Sequence, residues 1–374
     1  MAALLALLPL ATLARGPEVG DYRGVYVAGT PLLNANRTMP DAVYGSRQAS
    51  GVYIRLPWAV IEPEPGRFDF TLLDREMTRA VAAGKRVSLS VIAGGRAPAW
   101  LGSAGIRTLR LSTSQGGTEQ AGARPTCISV DLPLPWDPAY QAAFQRMWTA
   151  VSQHLRQTPG AWEALRIVKL TGVNRISEEL NMPWRAAGSA CGSPPPDDTP
   201  RWVAAGYRTD VMVEAWVRLS RIIAEAFPGK LLAQDILERN DFPPVGDNGA
   251  PDRNPPVKAR IIAEGRRLFG SRFALQWNAL SLDGDLAPTV LDARRQGTVI
   301  GWQTNLFRGF QGAGCNTNRR EAPLECAEPD YAATLERGVR SGAEYLEVWT
   351  PDLARFPEAV RAADNALRQG RNAR

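Results

Sequence analysis

The feature that most constrains the fold is a rhythm. Eight short apolar, β-branched or aromatic runs recur along the chain: Arg23–Ala28, Gly51–Pro57, Arg86–Ala93, Leu165–Thr171, Lys230–Leu237, Phe273–Ala279, Val299–Asn305 and Tyr345–Thr350. Amphipathic stretches separate them, including Leu72–Ala83, Ala139–Arg156, Val203–Ala226, Lys258–Leu268, Ala287–Arg295, Tyr331–Ser341 and Pro357–Gln369. Near-continuous apolar strands alternating with helices predict parallel strands covered on both faces, because a crossover helix must pack on each strand pair. Eight such units predict a single α/β domain, a (β/α)8 barrel over residues 17–374. The competing open doubly wound sheet needs a Gly-rich phosphate turn after its first strand, and the chain reads AGTPLLNANR there. Long loops rich in Gly, Pro and polar residues, Gly102–Pro135, Arg185–Pro200, Asn240–Pro256 and Gly309–Pro329, all follow strands. In a barrel that is the side on which the active site is built.

The strand ends carry an uneven chemistry. The second offers Arg55 and Trp58, and the third leads to Arg96, Pro98 and Trp100. After the fourth come Asn174, Glu178 and Glu179, and the fifth gives Gln234, Asp235 and Glu238. The sixth gives Gln276, Trp277 and Asn278, the seventh Trp302, Gln303 and Asn305, the eighth Glu347, Trp349 and Asp352. Indole rings cover the C–H faces of sugars while amides and acids take the hydroxyls, so this set points to a carbohydrate cleft. The competing reading is that the Trp side chains fill the core, as aromatics do.

The segment GVYIRLPWAVIEPEPGRFDFTLLDREMTRAVAAGKRVSLSVIAGGRAPAWL resembles the second and third βα units of clan A glycoside hydrolases, the family 42 β-galactosidases above all, and PWDPAYQAAFQRMW resembles the helix those enzymes place before strand 4. About 100 residues carry the likeness. It implies a glycosidase barrel without a cofactor. It makes Arg55 the arginine that supports the nucleophile, Trp349 the aromatic ring beneath the sugar, and Glu62 and Glu64 parts of a scaffold turn.

The clan places an acid/base Glu, directly after an Asn, at the end of strand 4 and a nucleophilic Glu at the end of strand 7. Here Asn174 is followed by Arg175, and the seventh strand holds Gln303, an amide that cannot attack an anomeric carbon. Three readings stay open. Glu347, alternating with Trp349 and therefore on the same strand face, pairs with Glu178 or Glu179 as proton donor and nucleophile or base. Asp235 or Glu238 supplies the second group instead. Or the chain binds glycans without cleaving them. Arg55, Trp58, Asn174, Trp277, Asn278, Trp302, Gln303 and Trp349 are the expected sugar contacts.

Charge and rare residues narrow the rest. Lys and Arg number 44 against 38 acids, and no basic run reaches five residues, which argues against nucleic acid. The net charge of +6 keeps a lyase or transglycosylase acting on an acidic polysaccharide as a further alternative. One His, His154, is too little for a Ser-His-Asp or zinc enzyme and reads as a surface or hydrogen-bonded helical residue. The opening MAALLALLPLATLARG resembles a signal peptide over residues 1–16, lacks its basic start, and is too short to span a membrane. Secreted or periplasmic localisation follows, and two disulfides are expected, Cys127 with Cys191 across neighbouring loops and Cys315 with Cys326 within one loop.

Overall fold

The computed structural model describes residues 21–29, 37–115, 126–182, 184–185, 191–194, 196–238, 242–282, 284–304 and 327–370. Eight parallel strands close into a barrel: β1 (Gly24–Ala28), β2 (Gly51–Pro57), β3 (Arg86–Ile92), β6 (Leu165–Lys169), β7 (Leu231–Ile236), β8 (Phe273–Leu280), β9 (Val299–Thr304) and β10 (Tyr345–Trp349). Each pairs with its sequence neighbour, and β10 returns to β1 with Glu347 opposite Tyr26. The expected runs are these strands to within a few residues. β6 stops at Lys169, two residues short of the expected end, and the chain turns at Gly172 with its N–H donating to Asn174 Oδ1 (2.8 Å).

Strand alternation divides the side chains into two cores. One set faces the helices: Ile54, Leu56, Val168, Leu275 and Trp302 pack against Tyr140, Phe144, Trp148, Trp216 and Leu219 from the helices Pro138–Gln157 and Thr209–Ala226. Asp137 starts the first of these helices by accepting from the Ala139 and Tyr140 N–H groups, a cap that typically contributes about 1 kcal/mol. The other set fills the lumen with Tyr26, Tyr53, Tyr345, Ile167, Leu231, Ala233 and Ala274. Gly301 lets this layer form, since a Cβ there would sit 2.2 Å from the Tyr345 ring.

The loop after β3 holds an unexpected element, an antiparallel hairpin of β4 (Thr108–Gln115) and β5 (Thr126–Pro133). The Cys127–Cys191 disulfide fastens it to the loop after β6, as expected. The Cys315–Cys326 pair lies outside the described residues, as does the signal-like segment. His154 hydrogen-bonds Asp74 (2.5 Å) and stacks on Phe70, so it is a helix-surface residue with a partner. Among the described residues no helix is long and apolar enough to cross a membrane.

Candidate active site

Polar side chains replace the tyrosines at the C-terminal end of the lumen. Lys169, Asp235, Gln276 and Glu347 lie two residues, and Gln303 four, beyond a lumen-filling position of their own strand, so alternation turns all five inward. All are buried. Lys169 Nζ is 2.9 Å from Asp235 Oδ1, 2.8 Å from Glu347 Oε1 and 2.7 Å from Gln276 Oε1. Gln276 and Gln303 both donate to Glu347 Oε2, at 2.8 and 2.9 Å. Asn278, partly exposed, donates to Asp235 Oδ2 and to Glu179 Oε1, both at 3.2 Å.

A second charged pair stands beside this group. Arg55 on β2 donates to Glu178 Oε2 at 2.8 Å, and its guanidinium lies 5.7 Å from the centre of the Trp349 ring. Glu178 Oε1 is buried and has no hydrogen-bond partner among the described residues. The loop bearing Glu178 and Glu179 rests on the turn after β3, where Gly94 has φ +59° and a Cβ would meet Asn174 O at 2.0 Å. Only glycine admits that approach. Arg55 also donates to Gly29 O, at the edge of a recess of about 210 Å³ lined by Thr38, Met39, Pro40 and Trp349.

Glu178 and Asp235 are shifted in opposite directions. Burial pushes both up, but Arg55 outweighs it at Glu178 and holds that acid below the usual range. At Asp235 burial prevails over Lys169, with Glu347 and Glu178 adding to it, and the carboxyl is pushed up to about 8. Environments that separate two acids in this way suit one to hold charge and the other a proton. Among the described residues no cluster of three or more His, Cys, Asp or Glu side chains is arranged as a metal site.

The structure thus brings together Arg55, Glu178, Glu179, Asn278, Gln303, Glu347 and Trp349 of the expected set, and it corrects five others. Trp58 is fully buried against Trp100, Tyr140 and Phe144 and donates to Glu62, which also accepts from Gly66 N and so forms the expected scaffold turn. Trp302 and Trp277 face the helix side and touch each other, because their neighbours Gln303, Gln276 and Asn278 face inward. Asn174 spends its amide on Gly172 N and Ser177 O. Glu238 is taken by the Thr289 N–H and hydroxyl at a helix start, which removes it as an alternative acid. Lys169 was not among the expected site residues, and Gln276 was named at its strand end but not among the sugar contacts. Their signal was parity with Ile167 and Ala274.

An eight-stranded barrel with acids, amides and an aromatic ring at the C-terminal strand ends is the architecture of the clan A glycoside hydrolases. Residues 50–164 match the model of glycoside hydrolase family 42, β-galactosidase, which bears out the resemblance carried by that stretch. Among solved structures, the catalytic domain of β-amylase from Paenibacillus polymyxa shares the fold at TM-score 0.56 and 11% identity, over 89% of this chain and 94% of that one. The β-galactosidase from Rahnella sp. R3 does so at TM-score 0.55 and 12% identity, over 96% of this chain and 59% of that one. That from the psychrophilic Marinomonas ef1 does so at TM-score 0.50 and 13% identity, over 92% and 59%. The chain therefore spans well under two thirds of these β-galactosidases. No curated protein sequence matches it. The family match covers less than a third of the chain, and the solved structures share its fold.

Proposed function

We propose that the chain is an exported hydrolase of an oligo- or polysaccharide, acting without a cofactor, with Glu179 as proton donor and Glu178 as the counter-carboxylate. The observation that carries this reading is that the two consecutive acids reach opposite walls of the barrel mouth. Glu178 meets Arg55 on β2, while Glu179 meets Asn278 on β8, four strands away around the ring. A bond lying across the mouth is then flanked by two carboxyls, as glycoside hydrolysis requires. Glu179 is partly exposed and passes its proton to the leaving oxygen as the C–O bond breaks. Glu178, kept charged by Arg55 and with Oε1 unpaired, attacks the anomeric carbon or takes a proton from the attacking water. Arg55 thereby plays toward Glu178 the supporting part that the resemblance gave it toward a strand-7 acid. Glu347, expected as the nucleophile or base, is ion-paired with Lys169 through Oε1 (2.8 Å) and accepts from Gln276 and Gln303 at Oε2, so we place it beneath the reacting groups.

Replacing Glu178 or Glu179 with Gln and assaying a polysaccharide panel tests the assignment. Each variant should lose on the order of 10²-fold or more in kcat. Azide should rescue Glu178→Ala, if Glu178 attacks the sugar, and leave Glu347→Ala unrescued. Wild-type rates from both Gln variants end the assignment. The Cys127–Cys191 bridge supports export, and N-terminal sequencing of protein recovered from outside the cytoplasm checks it.

A second reading, a barrel that binds glycans without cleaving them, is favoured by Gln303, whose amide donates to Glu347 from the strand that carries the nucleophile in the clan. A glycan array run beside a reducing-sugar assay separates the two. Binding without product selects the second.

A further inference from the structure

Lys169 is the charged group of the lumen floor to which neither reading gives a part. It is fully buried at the end of β6. Besides its contacts with Glu347 and Gln276, it sits within 3.3 Å of both Asp235 oxygens. The Tyr53 and Tyr345 rings stand 4.9 and 5.7 Å from Nζ and close it off from the lower lumen. Gln276 is oriented by the same cation: its carbonyl accepts from Lys169, which leaves its amide to reach Glu347, Asn278 and, at 3.4 Å, Asp235. The charges facing this group from the surrounding elements are Arg55 on β2 and Glu178 on the loop after β6, with Tyr53 and Tyr345 as the neutral titratable neighbours. Two buried cations, Lys169 and Arg55, thus meet three buried acids, Glu178, Asp235 and Glu347.

We propose that Lys169 is a positioning residue that clamps Asp235 and Glu347 in one orientation and sets the charge of the floor, which then holds one proton. Two cations balance two of the three acids, and a third charge without a partner in so dry a place would be costly to keep. The upward displacement of Asp235 agrees with that balance. As a positioning residue for the hydrolase acids, Lys169 rests on the function proposed above, whereas its effect on the floor's charge does not.

The experiment compares the pH dependence of Tm for the wild type, Lys169→Met and the double variant Lys169→Met/Glu347→Gln between pH 5 and 9. Without the cation the floor must take up a second proton on folding, so the Tm of Lys169→Met should fall more steeply with rising pH than that of the wild type. The double variant, with one acid fewer, should return to the wild-type slope. Parallel profiles for wild type and Lys169→Met overturn the proposal, because loss of packing alone lowers Tm without tilting it. A double variant as steep as the single one overturns it too. If Lys169→Met folds only near pH 5, that dependence is the steep fall expected, and the double variant decides. On a cleaved glycan, Lys169→Met should lower kcat about tenfold or more with KM changed less than about twofold. A wild type that cleaves nothing defeats the hydrolase reading and leaves the Tm comparison intact.

Discussion

The Arg55–Glu178 pair and the Lys169–Asp235–Glu347 cluster are both buried and both built from opposite charges, yet they differ in what is left over. In the cluster the ammonium meets both acids, and two amides donate to the other oxygen of Glu347. In the pair, Arg55 holds one oxygen of Glu178 and lies 5.7 Å from the centre of the Trp349 ring, while the other oxygen of Glu178 has no hydrogen-bond partner among the described residues. The comparison teaches that being an acid at a strand end is a poor guide to reactivity. The acid clamped between a lysine and two amides is scaffolding, and the acid held by one arginine can engage a substrate.

The sharpest way to break the comparison is to remove one partner from the pair. Arg55→Met leaves Glu178 charged and dry, and should cost about 3–5 kcal/mol of stability, measured by urea unfolding. Opening the Cys127–Cys191 bridge, which spans 64 residues, should cost about 2–4 kcal/mol. It frees the loop that carries Glu178 while leaving the Lys169 cluster on its strands, so any glycosidase activity should fall before the barrel melts. A thermal melt and an activity assay with and without reductant check both. Gln276→Leu takes two donors and one acceptor from the cluster and should cost about 1–3 kcal/mol, read by the same unfolding.

The smallest effect is a slope. Asp235 titrates at about 8 in the folded protein against an ordinary value of 3.8. The folded state therefore binds more protons between those values, and this group's contribution makes stability fall as pH rises from about 4 to 8, levelling above. Asp235→Asn should flatten that part of the profile. Glu178 has the opposite sign: its folded pKa is lowered, so its contribution is present above the ordinary 4.5 and is lost as pH falls through the folded value.

Much of the barrel was legible because a strand buried on both faces leaves an unbroken apolar run, and eight of them between amphipathic stretches leave few alternatives. The Glu347–Trp349 alternation was legible too, and both do face the lumen side. The same rule, applied to Trp277 beside Asn278 and Trp302 beside Gln303, separates each pair; residue type alone had grouped them. Lys169 escaped notice because a lysine ending LRIVK reads as a solvated strand end, and nothing local announces that Asp235 and Glu347, 66 and 178 residues further along, will enclose it. The β4–β5 hairpin was hidden in a segment whose Ser, Thr and Gly content reads as loop.

The tyrosine layer beneath the floor carries a kinetic consequence. Tyr26, Tyr53 and Tyr345 fill the lumen without exposed surface, so the barrel is a blind vessel. Whatever enters at the C-terminal mouth must leave by it, and fragments of a cleaved chain would queue at the door through which the next substrate arrives. Released sugar should then act as a competitive inhibitor, and turnover should be governed by how fast the mouth empties.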